Sequence, residues 1–490
     1  MLYKRNGIFY NEFVRNWISD ADLTGEIRKK VRMLTGNLSA QALNAVEMAE
    51  PEIGGNGMRE SWKRLVEEEK KEIRDALLVT RRELKSFVKW LFLAFAAGLL
   101  VGAVGSLFSL CLTWATNTRK EHEWILYLLP LAGILIVFIY QKAEMLRDGG
   151  TNTVLDKIRH DGDVPFRMMP LIFIATVLTH LCGGSAGREG AALQIGGSMG
   201  NFIGKKLRLD DSDKKVLIMC GMSAAFAALF GTPMAAVFFA LEVATVGIMY
   251  YSALFPCAIA SLTGYYFSTA VADISPERLH ITEIPSMGID TGFSVILIAA
   301  ACAFAGTFFC WLLHKTGELY QYLFHNAYIR IAVAGLLLIV LTLLEGSGDY
   351  NGAGMDVIER AFEGEVVPWA FLLKMIFTAL TLGAGYRGGE IVPSFFIGAT
   401  LGAWLGSLLG LPASISAGVG LAALFCGVTN CPISTLFICF ELFQYEGVPF
   451  FLLAIAVSYL LSGYSGLYQK QKMVYSKYHH FLNPRKKDNH

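Results

Sequence analysis

Arg188 and Glu189 stand side by side in a glycine-rich turn with apolar sequence on both sides. The stretch runs Cys-Gly-Gly-Ser-Ala-Gly-Arg-Glu-Gly from Cys182, and residues 170–181 before it are almost uniformly apolar. Ionisable groups at bilayer depth are costly, so such a pair marks a candidate functional site. A glycine-rich turn that opens a helix presents unpaired amide N–H groups and the positive end of the helix dipole. Those groups hold a small anion without any full positive charge. A second turn, Gly388-Gly389-Glu390, precedes Ile391 and Pro393 in the same manner. Two such helix ends meeting at one point would bind a halide that must also leave again. The Glu189 carboxylate would compete for that point and vacate it when protonated or displaced. The competing reading is a structural pair between Arg188 and Glu189. It is disfavoured because adjacent residues on a helix do not face each other.

The elements that would carry these turns are membrane helices. Of 490 residues, 54% are hydrophobic and only 17% charged, and the mean hydropathy is +0.46. That is more apolar and less charged than a typical soluble protein. A net charge of +1 gives no case for nucleic acid binding. From residue 87 onward, long apolar runs recur that can cross a hydrocarbon core. The fold class is therefore an all-α polytopic membrane protein. Several apolar segments are short or broken by Gly and Pro, as re-entrant helices lining a transport site would be. Residues 1–86 are polar and read as a cytoplasmic helical segment. The transmembrane domain is placed at 87–468, and 469–490 reads as a basic cytoplasmic tail.

The domain repeats, with halves at about 87–271 and 290–468. Gly196, Gly200 and Gly204 match Gly398, Gly402 and Gly406 at the same four-residue step. The segment from Pro233 to Glu242 matches that from Pro432 to Glu441 in length and in its Phe-rich ending. Matched features in one order indicate duplication, and such repeats place the substrate at their interface. The sequence leaves their relative orientation open, inversion being the commoner arrangement.

Other motifs weigh less. Gly183-Gly184-Ser185-Ala186-Gly187 has the form of a nucleophile elbow, but that motif needs a preceding strand and His and Asp partners. An apolar helix precedes it here, so the chain is not read as an enzyme. His180 reads as a hydrogen-bonded buried histidine, since no second His or Cys sits at metal spacing. The nine cysteines fall in apolar segments and read as buried free thiols. No metal or cofactor is expected.

Together these residues resemble the CLC family of chloride channels and proton-coupled anion transporters, from about residue 87 to 468. Gly187-Arg188-Glu189-Gly190 is similar to the family's Gly-(Lys/Arg)-Glu-Gly motif, which implies Glu189 as the gating and proton-carrying glutamate. Gly388–Pro393 is similar to its Gly-Gly-x-Phe-x-Pro motif, with Ile391 in place of the phenylalanine. Residues 148–153 stand where the family has Gly-Ser-Gly-Ile-Pro, leaving Thr151 or Asn152 to serve for the serine. Tyr468 falls where the family places a hydroxyl-donating tyrosine. The implied anion site is Thr151, Asn152, Gly187, Arg188, Gly190, Ile391 and Tyr468, with Glu390 as a second proton or gate residue. Val243 follows Glu242, where many proton-coupled members carry a second glutamate. Glu390 and the segment around Tyr468 look more like the fluoride-exporting branch. The resemblance implies a homodimer in the cell membrane, both termini cytoplasmic, exchanging fluoride for protons. Chloride conduction or chloride/proton exchange is the alternative. A transporter of small organic solutes would need a roomier, more polar site.

Overall fold

Residues 56–477 are described by a computed structural model, in which the side chains of several residues before 78 are not described. The expectations for residues 1–55 and 478–490 lie outside the described residues. The chain divides into two units, residues 1–90 and 91–490. The described part of the first is the beginning of one long helix, α1 (Asn56–Glu121). No helix break separates a polar segment from a membrane segment at residue 87, because nothing in the sequence there caps or stops a helix.

In the second unit a 3₁₀ turn (Glu123–Leu128) and α2 (Leu129–Lys142) follow α1. Then come α3 (Thr151–Arg159), α4 (Met168–Leu181), α5 (Glu189–Lys206), α6 (Asp211–Phe230) and α7 (Pro233–Glu242). After α8 (Leu254–Ala270) the second half runs α9 (Ile289–Leu323), α10 (Ala327–Glu345), α11 (Met355–Glu363) and α12 (Ala370–Ala384). It ends with α13 (Ile391–Leu409), α14 (Ala413–Thr429), α15 (Pro432–Leu442) and α16 (Val448–Leu461). Among the described residues, five helical stretches are long and apolar enough to span a bilayer: Leu78–Glu121, Glu123–Lys142, Ile289–Leu323, Ala327–Glu345 and Ile391–Leu409. Six more of the described helices are apolar but only 10–17 residues long, shorter than the roughly 20 residues a spanning helix usually takes. Trp114, Trp124 and Tyr127 are exposed around the α1–α2 turn, where amphipathic rings anchor a helix end at the headgroups.

The duplication is visible in the packing. A Cβ on Gly196 or Gly221 would land on the other's carbonyl oxygen, and the same holds between Gly398 and Gly420. The small-residue step in each half thus lets α5 lie against α6 and α13 against α14, backbone to backbone.

The halves also exchange contacts. The Glu242 carboxylate at the end of α7 accepts from Ile433 N (3.3 Å) and Ser434 N (2.9 Å) at the start of α15. The Glu441 carboxylate at the end of α15 accepts from Met234 N (2.9 Å) and Ala235 N (2.8 Å) at the start of α7. Each helix is capped by its counterpart's glutamate, so the two lie side by side and antiparallel. Phe238 and Phe437, equivalent positions, stack at 4.1 Å and 4°. Antiparallel pairing of equivalent elements is what an inverted repeat produces. Glu441→Ala would orphan two amides, at about 1–3 kcal/mol each where they are buried. A clear fall in the melting temperature of the detergent-solubilised protein is expected, larger than for Glu441→Gln, which keeps an acceptor.

The first residues after Tyr468 are tied to the domain. β2 (Lys472–Met473) pairs in parallel with β1 (Thr245–Val246), just beyond α7. Gln471 Nε2 donates to the carbonyls of Val243 (2.9 Å) and Thr429 (2.8 Å). Lys477 Nζ adds a bond to Ser462 Oγ at 3.0 Å, and composition alone does not say which of these residues pack.

Candidate functional site

The two glycine turns meet. Gly187 N donates to Gly389 O and Gly389 N to Gly187 O, both at 2.7 Å, forming an isolated antiparallel bridge. This bridge holds the N-terminus of α5 against the N-terminus of α13. Glu189, the first residue of α5, is completely buried. Its Oε2 accepts from Arg188 N (3.0 Å) and from Val392 N (3.2 Å) in the first turn of α13. A carboxylate therefore occupies the point where amides of both helix ends converge. Its Oε1 has no hydrogen-bond partner among the described residues. Ile391, named from the motif, starts α13 and is buried, but the amide that reaches Glu189 belongs to the next residue.

Glu390 precedes α13 and leans the opposite way. A side chain on Gly190 would meet Glu390 Oε2 at 3.5 Å and Thr151 Oγ1 at 3.4 Å. Each glutamate thus reaches toward the other half's turn. Thr151, buried at the first position of α3, donates from Oγ1 to Gly190 O at 3.3 Å. Gln194, which no motif flagged, donates to both Thr151 Oγ1 (3.2 Å) and Gly190 O (3.1 Å). Tyr468 is buried with its hydroxyl unpartnered among the described residues, and Glu390 and Glu189 are among the charges acting on it. A buried hydroxyl without an acceptor is a group waiting for one.

Two expected site residues have other roles. Asn152 does not line this chamber. Its Oδ1 accepts from Lys470 N at 3.0 Å, while Arg159 Nη1 donates to Lys470 O at 2.7 Å. One turn of α3 points Thr151 inward, and the next residue clamps the segment that carries Tyr468. Arg188 does approach Glu189, with Nε 3.8 Å from Oε1. The helix-face objection to that pairing fails because Arg188 lies outside the helix, at φ −120° and ψ −16°. Its main partner is Glu277, in the loop before α9, and its guanidinium lies 5.5 Å from the Phe230 ring centre. Sequence could not supply Glu277, which is one carboxylate in a polar loop with no spacing signal.

The decoys resolve locally. Ser185 Oγ lies 3.1 Å from Thr378 Oγ1 and follows a helix, not a strand. His180 is buried and its Nδ1 bonds the Thr176 carbonyl at 2.9 Å. The nine cysteines are free thiols, all but Cys111 buried.

The sequence pattern of the family described as voltage gated chloride channel matches residues 132–463. The chain is 38% identical over 399 residues to a chloride/fluoride channel protein of Pseudomonas syringae pv. tomato, covering 80% of this chain and 88% of the relative. It superposes on the crystal structure of a CLC-type fluoride/proton antiporter with TM-score 0.76 and 33% identity, over 79% of this chain and 98% of the other. A slow cyanobacterial chloride/proton antiporter shares the fold at TM-score 0.67 and 18% identity, over 76% and 94%. The paired turns, the inverted halves and these matches agree, and the chain belongs to the CLC family of voltage gated chloride channels.

Proposed function

We propose that this protein exchanges small halide ions for protons across a cell membrane, with fluoride favoured over chloride. The observation that carries the reading is the Glu189 carboxylate bound by backbone amides of both helix ends. An anion at that point would take the same N–H donors, so carboxylate and halide alternate. Protonated Glu189 holds the amides more weakly than the carboxylate does, so an arriving anion displaces it together with its proton. Thr151 and the Tyr468 hydroxyl would line the anion's next position, and Glu390, close to both Gly190 and Tyr468, would gate it or receive the proton. Because Val243 stands where a second glutamate would serve proton transfer, Glu390 is the carboxylate available for that step. The named relatives that pair fluoride with this architecture favour fluoride. We take the protein as a homodimer with one pathway per subunit and both termini on the cytoplasmic side, following the family resemblance and the basic tail.

Purified protein in lipid vesicles tests this. An outward fluoride gradient is expected to drive proton uptake against buffer, and chloride to move at least ten-fold more slowly than fluoride. Equal rates for the two ions would reject fluoride selectivity, and anion flow with no pH change would assign a channel instead.

A further inference from the structure

A cavity of about 730 Å³ opens beside the C-terminal end of α1, and its lining includes Arg119, Lys120, His180 and Arg188. It lies on the face where α1 ends, while α2 returns the chain to the opposite face, where Asn152 and Lys470 meet. Two guanidinium groups in this cavity hold buried nitrogens with no hydrogen-bond partner among the described residues, Arg119 Nε and Arg188 Nε, while His180 spends its ring N–H on the Thr176 carbonyl. His180 is 2% exposed. The charges acting on its ring are Arg119, Arg188 and Lys374, all cations. Lys374 is itself buried and spends its ammonium on the carbonyls of Tyr350 (3.1 Å) and Gly352 (2.8 Å).

The carboxylates at this cavity are largely engaged elsewhere. Asp356 pairs with Lys120, though its charge also reaches Arg119, and Asp349 pairs with Arg360 at 2.7 Å. Glu123 stands exposed at the rim. Glu277 takes one face of Arg188, and Glu189 Oε1 stands 3.8 Å from its Nε. Arg119 is left as a guanidinium whose Nε has no acceptor among the described residues, with its Nη2 against Gly352. Unmet buried donors cost free energy unless a ligand takes them.

We propose that this cavity is a staging site for a small inorganic anion, held by Arg119 and Arg188 next to the Glu189 gate. It is distinct from the helix-end site, being built from guanidinium groups of α1 and the α4–α5 turn. The proposal deepens the transport reading and rests on it only for the site's purpose, not for its occupancy. An anion here neutralises the cation cluster and waits one step from the carboxylate it will displace. Guanidinium groups bind it in a wide, wet cavity, where screening keeps the hold loose enough for exchange.

Bromide is the probe. Crystals of the full-length protein soaked in sodium bromide are expected to show an anomalous peak within hydrogen-bonding reach of the Arg119 guanidinium. That peak should vanish in Arg119→Gln and persist in Arg119→Lys. In vesicles, Arg119→Gln should raise the half-saturating fluoride concentration about ten-fold from the α1-end face, the loss of one charge-assisted hydrogen bond. From the opposite face it should leave that concentration unchanged. No bromide at Arg119 in the unmodified protein, or a peak indifferent to Arg119→Gln, overturns the site. Bromide bound at Arg119 in a protein that moves no halide would keep the site and reject the transport function.

Discussion

Glu189→Gln is expected to abolish proton movement while anions continue to flow. Glutamine has nearly the shape of the carboxylate it replaces. Its amide oxygen can keep both bonds that Oε2 now accepts, from Arg188 N at 3.0 Å and Val392 N at 3.2 Å. Its NH₂ group then falls at the position of Oε1, which has no hydrogen bond to lose among the described residues. The meeting of α5 and α13 should therefore survive. What disappears is a group that binds and releases a proton in the operating range. A positioned proton carrier contributes on the order of 10²–10⁴-fold, so proton flux should drop at least about 100-fold, to the leak of protein-free vesicles. Fluoride efflux should stay within about ten-fold of its starting rate, because a neutral side chain competes more weakly with the ion for the amides. A fluoride electrode and a pH electrode read together in one lightly buffered vesicle suspension give both numbers. Proton uptake that continues undiminished would remove Glu189 from the exchange.

Much of this centre is legible in the chain because its parts are local. A Gly-rich turn, a glutamate and a following small-residue step are one continuous stretch, and its recurrence after residue 388 announces the duplication. The meeting of Gly187 with Gly389 follows once two such turns are placed at one interface. What stays hidden depends on partners far apart in sequence. Glu242 and Glu441 are visible as matching ends, yet nothing near either says that it caps the other half's helix, about 190 to 210 residues away. Arg188 finds Glu277 for the same reason, and its departure from helical geometry defeats a rule written for helix interiors. Asn152 shows the limit at single-residue resolution. One residue's difference in helical phase decides which of two adjacent polar side chains enters the chamber and which ties down Lys470. Residues 469–490 read as a basic cytoplasmic tail, a pattern that carries no packing signal, whereas strand pairing and Gln471 hold residues 471–473 against the domain.

Gly389→Ala is expected to stop transport altogether, for a reason unrelated to titration. A methyl group there would lie 2.6 Å from Gly190 N, 3.0 Å from Glu189 N and 3.2 Å from Glu189 Oε2. The first two are backbone atoms at the start of α5 and have no rotamer to escape into. Relief requires the turns to part, which stretches the two 2.7 Å bonds between Gly187 and Gly389. Parting the turns carries Val392 N away from the point it shares with Arg188 N. Preorganised amide donors act only where their aim is kept, and removing one from such a cluster costs on the order of 10²–10³ in rate. Fluoride flux should fall by at least that factor, with protons falling in step because no ion arrives to displace Glu189. This separates it from Glu189→Gln, where the two fluxes diverge. Gly292→Ala is the matched control. Gly292 lies in the first turn of α9 with nothing within 4 Å of its Cβ position, so alanine there should be neutral or slightly stabilising. Thermal melting of both variants in detergent distinguishes a lost fold from a lost site. Gly389→Ala moving fluoride at the unmodified rate would mean that the two helix ends need not touch, and the shared anion point would have to be abandoned.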